Sequence, residues 1–192
     1  MNVLKKSVIA TMKSSKTFNM EKENKKIINS YLSFRLGEEV FALHVGKVHK
    51  ILEMTEITEV PRSPDYMKGV INLRGNVLPV IDMRVKFGME SAKRTKTTCI
   101  LVIEAEIEKE IVMVGLLVDA VQAVQKIKDE EILPPPSIGS KFRSDFISGM
   151  TRVNDRFYMV LNIDLLLSSD DLINLKTLQE VKESAVKEES NK

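Results

Sequence analysis

The 192-residue sequence predicts an all-β protein of barrel type. Short segments of alternating apolar and polar residues, or of β-branched residues, follow one another at close spacing, which is the pattern of β-strands. Pairs of residues suited to tight turns separate several of these segments. The helical pieces between them are short, which argues against the alternating strands and helices of an α/β fold.

The first predicted element is a β-hairpin. Residues 31–36 (YLSFRL) alternate apolar and polar side chains, Gly37 and Glu38 supply a turn, and residues 39–45 (EVFALHV) form the returning strand. In residues 46–54 the apolar positions fit both a helical and a strand period. We interpret that segment as a short helical turn leading into a strand.

The second predicted hairpin lies within residues 69–87 (GVINLRGNVLPVIDMRVKF), the stretch around which the chain is organised. Two β-rich runs are joined by Gly75 and Asn76, which both tolerate the positive φ of a tight turn. This placement puts Arg74 at the corner of the hairpin. Pro79 lacks an amide proton and cannot donate to a sheet on that side, so its strand is predicted at a sheet edge or a bulge.

The second half of the chain predicts further strands. Residues 97–105 and 110–124 are apolar runs rich in β-branched residues, joined by a charged corner. Residues 126–143 are predicted to form a loop stiffened by three consecutive prolines. Residues 146–153 and 156–163 then form a last hairpin, because Asn154 and Asp155 suit a turn with positive φ.

Both ends of the chain differ in composition from the predicted strands. Residues 1–29 are rich in Lys, Ser, Asn and Glu without a sustained period, which predicts a flexible tail. Ser168 and Asp171 resemble a capping box at the start of an amphipathic helix. Residues 169–192 are therefore predicted to be a C-terminal helix followed by a frayed tail.

Composition excludes several classes of protein. Lys and Arg total 29 against 27 acids, and a net charge of +2 is too small to draw the chain to nucleic acid or anionic lipid. Cys99 is the single cysteine, so a disulfide-bonded secreted scaffold is excluded. No segment has the apolar length of a signal peptide or a membrane span. We expect a cytoplasmic protein without direct membrane insertion.

The sequence contains no recognisable catalytic motif, neither a phosphate-binding loop nor a nucleophile elbow nor a zinc-binding helix. His44 and His49 have only Glu53 as an acidic neighbour, too few ligands for a metal site. The alternating acids of residues 104–110 are predicted to share one solvated face of a hairpin. We therefore expect no catalytic residue, no metal and no cofactor.

Arg74 is the one residue that suggests a binding function. A guanidinium at a hairpin corner, beside a glycine that allows close backbone approach, can form forked hydrogen bonds to a carboxylate or carbonyl of a docked helix. An ion pair within the chain is an equally good interpretation of the residue at this point.

Five segments of the chain carry a family resemblance. They are residues 31–51 (YLSFRLGEEVFALHVGKVHKI), 61–88 (PRSPDYMKGVINLRGNVLPVIDMRVKFG), 115–121 (GLLVDAV), 132–136 (ILPPP) and 146–167 (FISGMTRVNDRFYMVLNIDLLL). In these segments, and above all in the NLRG core, the chain resembles the CheW family, the coupling proteins of bacterial chemotaxis. The resemblance implies two intertwined five-stranded SH3-like β-barrels with short helices. The domain would span residues 30–168, with the first barrel mainly in 30–88, the second mainly in 89–153, and strands exchanged between them.

The resemblance also implies a function, that of a non-enzymatic adaptor in a chemoreceptor array at the membrane. Such an adaptor joins the cytoplasmic tips of methyl-accepting receptors to the histidine kinase CheA, through the kinase's regulatory domain. The receptor-contacting positions of the family match Val48, Gly69, Arg74 and Gly75. The kinase-contacting positions match Ile57, Thr58 and Val60.

One departure from the family concerns charge near the receptor-contacting positions. Many members carry an acid where this chain has Lys50, and Lys47 and Lys68 lie nearby in sequence. We expect Lys50 to join the receptor-binding set and the rim to favour an acidic partner. Two alternatives remain open, a CheW-type adaptor of an array that controls pili, development or gene expression, and a small-ligand sensor using the groove between the barrels.

Overall fold

The computed structural model describes residues 29–134, 146–167 and 171 of the chain. Ten strands dominate the described residues, and the predicted all-β fold is confirmed. The strands are β1 (Ser30–Leu36), β2 (Glu39–His44), β3 (Val48–Glu53), β4 (Met67–Leu73), β5 (Asn76–Asp82), β6 (Cys99–Ile107), β7 (Glu110–Val118), β8 (Ala120–Lys126), β9 (Ile147–Val153) and β10 (Arg156–Leu161). The short helices are α1 (Met83–Lys86), α2 (Ile163–Leu166) and two 3₁₀ turns, Val45–Lys47 and Asp129–Glu131.

The strands form two five-stranded sheets, each curled like half a barrel. The first sheet has the order β8-β1-β2-β10-β9 and the second has the order β3-β6-β7-β5-β4. Six of the eight neighbouring pairs are antiparallel, four of them hairpins, but β2 pairs with β10 and β5 pairs with β7 in parallel. The predicted helical turn before β3 and the predicted first and last hairpins are confirmed.

The two sheets do not correspond to two successive halves of the chain. The second sheet is built from one continuous stretch, β3 to β7, inserted between β2 and β8 of the first sheet. The first sheet instead unites both ends of the described chain, since β1 pairs with β8 and β2 pairs with β10. These partners are far apart in sequence, and no local pattern specifies them.

The buried apolar residues of the described chain form three clusters. The largest lies between the sheets and receives alternate residues from both, among them Leu32, Phe34, Phe41, Leu43, Ile81, Leu101, Ile103 and Leu116. Each sheet covers a smaller cluster on its other face, including Tyr31, Val40 and Tyr158 in the first sheet and Ile71, Leu78 and Val102 in the second. With both faces covered, a sheet can carry the near-continuous apolar runs seen in the sequence.

The central hairpin forms as predicted, but its turn lies one residue earlier. Arg74 and Gly75 are the turn residues, with φ of 55° and 89°, and Asn76 already pairs with Leu73 in the strands. The side chain of Asn72 accepts a hydrogen bond from the Gly75 amide at 2.7 Å, which stabilises this position of the turn. The correction makes Arg74 part of the turn itself.

The predicted edge position of Pro79 is wrong, because β5 lies between β7 and β4. The backbone nonetheless accommodates the proline. Val70, opposite Pro79, exchanges both of its backbone hydrogen bonds with Thr58 on the other side of β4, at 2.9 Å each. The backbone nitrogen of Pro79 therefore points away from β4, where no hydrogen bond to it is needed. On the other side of β5, the pairing with β7 begins only at Val80, so neither pair of strands lacks a hydrogen bond because of the proline.

Polar contacts fix the connections between the sheets. Lys47 in the 3₁₀ turn after β2 pairs with Asp164 of α2 at 2.7 Å. Asp119, between β7 and β8, accepts a hydrogen bond from the Gly37 amide at 2.7 Å. Lys86 of α1 pairs with Asp171, which is fully buried.

Several predicted segments lie outside the described residues. They are residues 1–28 of the N-terminal tail, residues 135–145 of the proline-containing loop, and the C-terminal segment from residue 168 except Asp171. Within the described part of the chain, no helix has the length and apolar content needed to cross a bilayer.

Candidate functional site

The turn of the β4–β5 hairpin borders a groove of about 480 Å³. Its walls are formed by the β4–β5 hairpin, by the second residue of β3, and by the β7 residues that follow the β6–β7 turn. Its lining combines aliphatic side chains with two basic ones, and consists of His49, Leu73, Arg74, Asn76, Val77, Leu78, Ile111, Val112 and Met113. An apolar groove with few polar groups at its rim suits protein recognition better than catalysis.

Arg74 lies at the rim of this groove with its side chain exposed. Among the described residues, no acid lies within ion-pair distance of its guanidinium, so the interpretation as an internal ion pair receives no support. Gly75 follows it, also exposed, with no atom within 4 Å of where a Cβ would stand. The turn thus presents a positive charge that has no ion-pair partner among the described residues, next to open space at Gly75.

Val48 does not line the groove, contrary to the expectation that it contacts a partner. Its side chain is 0% exposed and packs in the cluster between the sheets, opposite Ile103. A register shift between Val48 and Lys50 makes His49 an extra residue in β3, so His49 and Lys50 are both exposed. The expectation for Val48 came from matching the positions of the family, and such a match does not tell whether a side chain is exposed.

The expected basic rim is smaller than predicted. Lys47 is neutralised by Asp164, and Lys68 lies 3.8 Å from the buried carboxylate of Asp82. Lys50 is exposed and makes no ion pair with another described residue. Of the three predicted lysines, only this one adds an unpaired positive charge on the surface to that of Arg74.

Ile111 is a groove residue that the sequence analysis missed. Its side chain is 75% exposed, unusual for a large aliphatic residue. It lies opposite the exposed Glu106 in the β6–β7 hairpin. The available signal was its position directly after the charged corner, where alternation places it on the same face as an acid.

The predicted acidic face is corrected in part. A carboxylate oxygen of Glu104 lies 3.3 Å from Nδ1 of His49, while Glu110 lies opposite the buried Ile107 and hence on the other face of the hairpin from Glu106. Within the described ranges, no group of three His, Cys, Asp or Glu side chains could hold a metal ion.

The predicted kinase-contacting residues lie next to β4. Ile57 is half-buried against the outer cluster of the second sheet, and Val60 packs against the cluster between the sheets. Thr58 has an exposed side chain and a backbone bonded to β4. Gly69, predicted to contact a receptor, is buried beneath this segment.

His44 lies away from the groove, at the junction of the two sheets. Its Nδ1 accepts a hydrogen bond from the Gly46 amide at 3.1 Å, and so caps the 3₁₀ turn that leads into β3. Burial lowers the pKa of His44; Asp129 opposes that shift, and Lys47 adds to it. The neutral imidazole is the form that can cap the turn.

We expect the fold to lose stability as the pH falls below about 6.5, the usual pKa of histidine. Because the pKa of His44 is lower in the folded state, the unfolded chain binds more protons in that range, and the free energy of unfolding falls as the pH is lowered. Urea unfolding at pH 7.5 and 5.5 measures the effect. His44→Asn keeps a capping acceptor without the titration, so it should show a smaller decrease; an equal decrease in both proteins contradicts the assignment.

Comparisons with known proteins agree with this architecture. The family model described as "CheW-like domain" matches residues 30–171. The chain is 37% identical over 140 residues to the probable chemotaxis protein CheW of Rhizobium etli, and 35% identical over 140 residues to the chemotaxis protein CheW of Rhizobium meliloti. Each alignment covers 73% of this chain and 88% of the relative. The crystal structure of the scaffolding protein CheW from Thermoanaerobacter tengcongensis is similar with a TM-score of 0.68 and 28% identity, over 79% of this chain and 95% of that one.

Proposed function

This chain belongs to the family of CheW-like domains, and on that premise we propose that it is a chemotaxis scaffold coupling methyl-accepting receptors to the histidine kinase CheA. It acts in the cytoplasm, is recruited to receptor arrays at the membrane, and catalyses no reaction itself. The receptor tip docks at the hairpin groove. The regulatory domain of the kinase docks at residues 57–60.

The observation that carries the receptor half of the proposal is the uncommitted guanidinium of Arg74 beside an apolar groove. A receptor tip is an α-helical hairpin, and an amphipathic helix can place an apolar side chain in the groove while a carboxylate or carbonyl meets Arg74. Lys50 and Gly75, both exposed, complete the proposed contact set. Val48 is left out because its side chain is buried.

The kinase half rests on the residues that flank Thr58. Ile57 and Val60 are half-buried, so part of each side chain is available to a partner, and the Thr58 side chain is exposed. Lying outside the ten strands, this segment can present side chains without disturbing a sheet. Contacts as small as these suggest weak single interactions that strengthen when many copies assemble.

Arg74→Ala should weaken binding to a purified receptor cytoplasmic fragment about 10- to 100-fold, equivalent to about 1.5–3 kcal/mol for a charge-assisted hydrogen bond. Affinity for the kinase regulatory domain should change less than twofold. The midpoint of thermal unfolding should stay the same, because the Arg74 side chain is exposed. Calorimetric titration with each partner measures both affinities.

Arg94→Ala is the matched control, since it removes another exposed arginine that does not line the groove. Lys50→Glu should weaken receptor binding more at low salt than at high salt, because salt screens the repulsion between the new carboxylate and an acidic partner surface. Equal receptor affinities for the Arg74 and Arg94 variants would exclude the hairpin groove as the receptor site.

A further inference from the structure

Gly69 occupies an unusual place in β4. It is buried, its φ is 133°, and a register shift between Met67 and Gly69 marks a bulge in the pairing with β5. Residues with a side chain rarely adopt that backbone conformation. A glycine inside a strand often marks a bulge or the close approach of another backbone, and both apply here.

The backbone that approaches Gly69 belongs to Thr58. A Cβ built on Gly69 would overlap the Thr58 carbonyl oxygen and stand 2.8 Å from the carbonyl carbon and 3.0 Å from Cγ2 of Ile57. These neighbours are mainly backbone atoms, which cannot rotate away as a flexible side chain could. Only a residue without a side chain therefore allows residues 57 and 58 to lie this close to β4.

Two hydrogen bonds hold the segment in that position. The Thr58 amide donates to the Val70 carbonyl and the Val70 amide donates to the Thr58 carbonyl, both at 2.9 Å. This isolated bridge is the backbone pairing that the described structure gives to residues 54–60. Val70 directly follows Gly69, so a displacement caused at Gly69 reaches both bonds.

We propose that Gly69 is a positioning residue and not a receptor contact: it seats the segment of Ile57, Thr58 and Val60 against the strand that leads to Arg74. The inference rests on the proposed function, in which that segment faces the kinase and the Arg74 turn faces the receptor. β4 then connects the two binding surfaces, with the Thr58–Val70 bridge at its middle residue and the turn directly after its last residue.

Gly69→Ala tests the proposal. The added Cβ should displace residues 57–60, weaken binding to the kinase regulatory domain by about tenfold or more, and leave receptor affinity within about twofold. Hydrogen exchange measured by NMR should show faster exchange of the Thr58 and Val70 amides, while amides of the first sheet keep their protection. Merely lowering global stability would accelerate exchange throughout the core.

Three further variants keep the test decisive if Gly69→Ala folds poorly. Thr58→Pro removes the amide that donates to Val70, whereas Thr58→Ala removes the same side chain and keeps that amide. Kinase binding should therefore be weaker in Thr58→Pro than in Thr58→Ala, with receptor binding unchanged in both. Gly88→Ala is the matched control, since Gly88 also has a positive φ, 74°, but no atom lies within 4 Å of its missing Cβ. It should leave both affinities unchanged.

The outcomes separate this inference from the proposed function. If Gly69→Ala loses receptor binding, keeps kinase binding and leaves the Thr58 and Val70 amides protected, the inference is overturned while the scaffold function stands. If the unaltered protein binds neither partner, the scaffold function fails, and amide exchange alone decides whether Gly69 positions the segment.

Discussion

Phe87→Ala is expected to lower the free energy of unfolding by about 3–5 kcal/mol, the usual range for truncating a buried aromatic side chain. Phe87 is 6% exposed, and its ring lies between two other aromatic rings. The distance between ring centres is 5.0 Å to Phe41 and 4.9 Å to Phe146. Phe41 belongs to the first sheet, whereas Phe87 follows α1, the short helix after β5 of the second sheet. Its removal opens a cavity where the sheets meet.

Phe157→Ala is the matched control for this experiment, because the same substitution is made at a ring that is 63% exposed. Phe157→Ala should lower the free energy of unfolding by less than about 1 kcal/mol. Urea or thermal unfolding of the three proteins gives the comparison. Equal decreases in the free energy of unfolding at the two positions would mean that the contacts among Phe41, Phe87 and Phe146 do not hold the sheets together.

Lys86→Met is expected to destabilise the fold by about 3 kcal/mol. The Lys86 ammonium lies 2.8 and 3.0 Å from the two carboxylate oxygens of Asp171, whose side chain is 0% exposed, and 4.1 Å from the centre of the Tyr66 ring. Methionine retains most of the aliphatic stem but not the charge. Removing one member of a buried ion pair leaves the other charge buried without that partner.

The double variant Lys86→Met/Asp171→Leu should recover most of that stability, since replacing both members of a buried pair with apolar residues is often neutral. Arg152→Ala supplies the surface comparison, because Arg152 and Asp155 are 62% and 89% exposed, and should cost under about 0.5 kcal/mol. If Lys86→Met costs no more than Arg152→Ala, the buried pair does not anchor Asp171.

The hairpins could be predicted because their determinants are local. Asn154 and Asp155 adopt positive φ, as the sequence indicates, and Gly37 does the same in the first hairpin. The membership of the sheets depended on the parallel pairing of β2 with β10, between segments far apart in the chain. No spacing of residues encodes such a contact.

The candidate site was predicted only in part, for physical reasons that differ between residues. Arg74 could be placed because a hairpin corner is exposed whatever the sheet around it does. The burial of Val48 was not anticipated, because its expected role came from the family match, which does not report which side chains of β3 face the core. Gly69 was expected to contact a receptor, but its sequence context does not reveal that the Thr58 backbone packs against it.

The insertion of the second sheet between β2 and β8 has a consequence for biosynthesis. As the chain leaves the ribosome, β1 and β2 emerge first but find their remaining neighbours only when β8 and β10 have been made. The inserted sheet has all its strands by β7 and can assemble in the meantime. Its assembly brings the ends of the inserted stretch together and so reduces the entropy cost of closing the first sheet around distant partners.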